Sequence, residues 1–104
     1  MKVVLSSVEE LVQELEFLYE EGERPLVRAT TFISDDSDDG FAVFFYASFM
    51  IDEGTVCEAE IFCGKNLNSR YQLGSDKAKE YDAELKQQCE KIGIKVRPGR
   101  YEAD

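Results

Sequence analysis

Eleven consecutive residues, Phe41 to Ile51, read Phe-Ala-Val-Phe-Phe-Tyr-Ala-Ser-Phe-Met-Ile, with no charge, Gly or Pro and with five aromatics among them. β-Branched and aromatic residues suit a pleated, half-buried surface, and the turn-forming run Asp35 to Gly40 precedes them, so the stretch predicts a central strand. A strand alternates its side chains. Phe41, Val43, Phe45, Ala47, Phe49 and Ile51 therefore share one face, and Ala42, Phe44, Tyr46, Ser48 and Met50 share the other.

The flanking sequence supplies neighbours for this strand. Leu26 to Ile33 alternates, with Val27, Ala29, Thr31 and Ile33 opposed to Leu26, Arg28, Thr30 and Phe32. Thr55 to Phe62 alternates as well, Cys57, Ala59, Ile61 and Cys63 opposed to Val56, Glu58, Glu60 and Phe62. Connections as short as Asp52-Glu53-Gly54 cannot carry a parallel crossover, so three antiparallel strands in a meander are expected.

Two helices are expected around them. Ser7 and Glu10 have capping-box spacing, and Val8, Leu11, Val12, Leu15, Leu18 and Tyr19 then recur on one helical face until Gly22. Ser75 is a suitable N-cap for a second helix reaching Ile92, with Ala78, Tyr81, Leu85, Cys89 and Ile92 as its apolar stripe and Gly93 as its stop. Residues 1–5 and Ile94 to Arg97 are apolar enough for short terminal strands, while Gly64 to Gly74 reads as an exposed loop. The expected class is α+β: a three-stranded antiparallel meander, with allowance for short N- and C-terminal strands, and two helices packed on one face in the order (β)-α-β-β-β-α-β. At 104 residues this is one domain, 1–104.

Charge narrows the partners. The net charge is −10, with fifteen acids and three bases in residues 1–60 against seven acids and nine bases in 61–104. An acidic N-terminal portion is thus joined to a mildly basic C-terminal one. Such a molecule repels phosphate backbones, which makes a nucleic-acid partner unlikely, and no apolar run is long enough to span a bilayer. Three cysteines without disulfide-framework spacing, and no signal-peptide core after Leu5, suit a cytoplasmic location.

Catalytic chemistry finds little to stand on. The chain has no His, no Gly-x-Ser-x-Gly and no Ser-x-x-Lys, and nothing singles out one of its 22 carboxylates, so no enzyme activity and no cofactor are expected. Cys57 and Cys63 are six residues apart on one strand, ~20 Å, too far to share a metal or a disulfide. Asp35-x-Ser37-x-Asp39-Gly40 copies the first half of an EF-hand loop, but Tyr46 stands where the closing Glu belongs, and no metal site is expected.

Two surfaces remain as candidates. One joins the aromatic face of the sheet (Phe32, Phe44, Tyr46, Met50, Phe62) to the acidic first helix (Glu14, Glu16, Glu20). One layer of helices covers one face, and the other exposes more apolar surface than a monomer normally tolerates. Its cover would be a second copy, a basic protein partner as for small inhibitors and immunity-type proteins, or the chain's own Leu67, Tyr71, Leu73 and Tyr101. The other candidate is a basic and aromatic group, Lys65, Arg70, Tyr71, Arg97, Arg100 and Tyr101, able to anchor an anion or small-molecule ligand if the fold assembles it. The expected function is a non-catalytic acidic protein-interaction module, homodimeric or bound to a protein partner; the alternative is a small-ligand or anion-binding domain, conceivably with weak catalysis.

Overall fold

The computed structural model describes residues 1–36, 40–66 and 76–99. Along the chain lie β1 (Lys2–Leu5), α1 (Val8–Glu20), β2 (Val27–Asp36), β3 (Gly40–Asp52), β4 (Thr55–Asn66), α2 (Asp76–Lys91) and β5 (Val96–Pro98). The class is α+β, but the sheet is mixed and has five strands, in the order β1-β4-β3-β2-β5. The expectation of a three-stranded antiparallel meander is corrected accordingly. β2, β3 and β4 do pair antiparallel through their short turns. Each terminal strand then joins an outer edge in parallel, β1 on β4 and β5 on β2, because α1 crosses from β1 to β2 and α2 from β4 to β5, which leaves β1, β2, β4 and β5 running the same way.

α1 starts where its cap dictates. Ser7 is extended, and its hydroxyl accepts from the Glu10 N–H at 3.1 Å. The Glu10 carboxylate reaches one residue further back than the usual box, accepting from the N–H of Ser6 at 2.8 Å and its hydroxyl at 2.9 Å. Both bonds favour the ionised carboxylate and hold its pKa below the ordinary range. The helix ends in a Schellman motif: Gly22 donates to Tyr19 and Glu23 donates to Leu18. α2 ends the same way at Gly93, whose φ of 87° fits the left-handed cap and whose Cα faces the Tyr19 hydroxyl.

Both apolar stripes pack on one face of the sheet. Val8, Leu11, Val12, Leu15 and Leu18 of α1 join Ala78, Leu85 and Cys89 of α2 over Val27, Ala29, Val43, Phe45, Ala47, Phe49, Cys57, Ala59 and Cys63. Phe45 is the largest fully buried side chain, with the Tyr81 ring 6.1 Å away. The Cα envelope is only 20 Å thick, enough for one sheet and one helix layer at ~10 Å separation.

One irregularity lengthens β4. Gly64 pairs with Val43 while Phe62 pairs with Phe44, leaving Cys63 as the extra residue of a bulge. Gly64 has a φ of 129°, so the residue expected to open a loop instead carries β4 on to Asn66. Ser37–Asp39 of the acidic turn, the proposed N-cap Ser75 and most of the expected loop lie outside the described residues.

Candidate interaction surface

The face of the sheet turned away from the helices is organised in cross-strand rows. Phe32, Phe44 and Phe62 are register partners on β2, β3 and β4. The Phe32 and Phe44 rings stack at 5.1 Å, and Phe44 meets Phe62 edge-on at 5.6 Å. Thr30, Tyr46 and Glu60 form the next row, Arg28, Ser48 and Glu58 the third, and Met50 and Val56 the fourth. The edge strands extend these rows: Val4 lies beside Glu58, Lys2 beside Val56, and Arg97 beside Arg28.

No described element lies over these rows. Phe62 is 53 % exposed, Met50 55 % and Val4 68 %, whereas Phe45 and Ala47 on the opposite face are fully buried. Phe32, Phe44 and Tyr46 are half-buried because each is flanked by its neighbours in the sheet. The alternation read from Phe41–Ile51 is therefore realised from Val43 to Met50. Ala42 is buried despite sharing the open side, and the Phe41 side chain lies outside the described set.

A polar lock sits at the centre of this face. Tyr46 Oη donates to Glu58 Oε2 at 2.6 Å, and Lys2 Nζ lies 3.3 Å from Glu58 Oε1. The pKa of Tyr46 is raised, first by partial burial, then by its bond to Glu58 and the negative charges of Glu58 and Glu60. The phenol thus stays a donor, holding both side chains flat against the sheet.

Glu14, Glu16 and Glu20 are exposed on α1, in the helix layer. The sheet separates them from the aromatic rows, so the surface expected as one is two, on opposite sides of the molecule. Glu16 and Glu20 border an open groove of about 530 Å³ with Tyr19, Glu90 and Lys91.

The expected anion group is not assembled from the residues described. Lys65 pairs with Ala42, while Arg97 lies beside Arg28, the partner of Ser48. Six residues along β3 separate those positions, ~20 Å. Arg70, Tyr71, Arg100 and Tyr101 lie outside the described residues, as do Leu67 and Leu73. What the structure does join is Arg28 and Arg97, a pair that sequence reasoning missed because three residues of β5 carry no signal of their neighbour.

Cys57, Cys63 and Cys89 are buried under the helices, and none of them is in a disulfide. Burial pushes the thiols of Cys57 and Cys89 up to about 11, with Glu14 and Glu58 adding to the effect at Cys57. No group of three or more potential metal-ligating side chains converges among the described residues. No protein-family model, curated protein or solved structure matches the chain.

Proposed function

We propose that this chain is a non-catalytic protein-interaction module that docks through the open face of its sheet. The observation that carries the reading is the continuous row Phe32–Phe44–Phe62, with Met50 and Val4 beyond it, lying outside the cover of both helices. Aromatic and Met side chains are favoured at interface cores, where they lose much apolar surface at modest entropic cost. The Tyr46–Glu58–Lys2 lock supports the same role, since a contact surface held rigid before binding has less ordering to lose on association.

Local charge supports it too. In the rows from Phe44 to Met50, Lys2, Arg28 and Arg97 stand against Glu58 and Glu60, so this face is slightly cationic on a chain of net charge −10. A partner can approach here without meeting the acidic surface of α1. That surface, bearing Glu14, Glu16 and Glu20, serves solubility and long-range repulsion of anions.

Hydroxyl-radical footprinting tests the reading. Met50, Val4 and Phe62 are expected to be labelled in dilute purified protein and protected when the same protein is labelled inside cells. Equal labelling in both settings would contradict it.

A further inference from the structure

Resting on that reading, we infer that the occupant of the open face is a second copy of the same chain, related by a two-fold axis that lies between the two sheets and runs along β3. Two sheets packing face to face keep their strands roughly aligned. An axis along β3 leaves each residue of that strand over its own counterpart and places the β2–β5 side of one copy over the β4–β1 side of the other.

The rows on this face are complementary to themselves under that operation. The row Phe32–Phe44–Phe62 meets Phe62–Phe44–Phe32, giving six rings in one layer, and Met50 meets Met50. One row from the aromatics, Tyr46 lies over its own copy. In the row beyond, Arg28 lies over Glu58 and Arg97 over Val4, one strand from Glu58, with Glu60 one row away, and the same pairing repeats on the other side of the axis. An axis across the strands would instead lay each strand on its own copy, keeping Arg28 and Arg97 on one side of the interface and Glu58 and Glu60 on the other. The charge pattern therefore selects one of the two alignments.

The area approaches what a stable dimer needs. Three strands of about seven residues, with four from β1 and three from β5, at ~4.8 by ~3.4 Å per residue give a flat patch of ~450 Å², or ~900 Å² over two copies before side-chain relief is counted. Side-chain relief carries this towards the ~1,200 Å² at which stable interfaces begin. The locally cationic face also lets two chains of net charge −10 meet with their acidic helices on the far sides of the assembly.

Sedimentation equilibrium with two complementary variants tests the arrangement. Arg28, Arg97 and Glu60 are exposed, so Arg28→Glu/Arg97→Glu and Glu60→Arg should both fold, which circular dichroism checks. Wild type is expected at twice the 11.9 kDa chain mass. Each variant alone should self-associate about tenfold or more weakly, and their equimolar mixture should associate more tightly than either variant alone. Unchanged association of the separate variants, or no recovery on mixing, would overturn the axis along β3. A wild-type monomer at every concentration would overturn the dimer; if Met50 and Phe62 were still protected in cells, the interaction reading would stand with a different partner. Protection of both residues in dilute monomer would assign the face to the chain's own residues 67–75 or 100–104 and overturn both.

Discussion

The two faces of one strand have opposite fates in this protein. Phe45 and Phe44 are adjacent on β3, yet Phe45 is sealed under Tyr81 and the helices while Phe44, among the described residues, stacks on ring neighbours within the sheet. The sequence alternates apolar residues with apolar residues at this point, where a sheet destined for solvent on one side would alternate apolar with polar. Hydrophobicity alone does not separate a core position from a docking position. What separates them is which side the helix stripes cover, and the charges that border the remaining side.

The widest gap between the faces is in stability. Phe45→Ala removes a fully buried ring and is expected to cost ~3–5 kcal/mol, whereas Phe62→Ala, already half exposed, should cost under ~1 kcal/mol in the monomer. Urea denaturation at low protein concentration compares the two, and equal losses would erase the distinction. Thiol chemistry sharpens it from the buried side. With Cys57 and Cys89 pushed up from 9.0 to about 11, each carries about a hundredfold less thiolate at pH 8 than an ordinary cysteine, so labelling should be slow until urea unfolds the chain. These folded-state pKa values are raised, so the unfolded chain loses its thiol protons first; stability contributed by the two sites is full below pH 9 and declines as pH rises towards 11.

Smaller effects are expected on the open face. Tyr46→Phe removes the donor to Glu58 and should cost ~1 kcal/mol, while eliminating the phenol that ionises above the ordinary tyrosine range in an ultraviolet pH titration. Lys2→Ala removes an ion pair whose cation is largely in water, and ~0.5 kcal/mol or less is expected from thermal melts.

Much of this division was legible in the sequence. The stripe of α1, the Gly22 and Gly93 stops and the alternation of Val43 to Met50 are local patterns, and local patterns set which side of an element is apolar. The five-stranded mixed sheet was not legible, since Lys2–Leu5 and Val96–Pro98 are too short for periodicity to name their parallel partners. The same gap concealed the Arg28–Arg97 pair and left Lys65 grouped with Arg97, although the pairing puts them in distant rows. The β4 bulge was hidden for a different reason: Gly64 signals a turn or a positive φ inside a strand with equal force.

The most direct test compares the solution molar mass of wild type with that of Phe44→Asp/Tyr46→Lys, a variant that places charge at the centre of the open face and leaves the helix-side core intact. The expected result is twice the 11.9 kDa chain mass for wild type and a single chain mass for the variant, with matching circular dichroism spectra. The same mass for both folded proteins, whether one chain or two, would contradict the account.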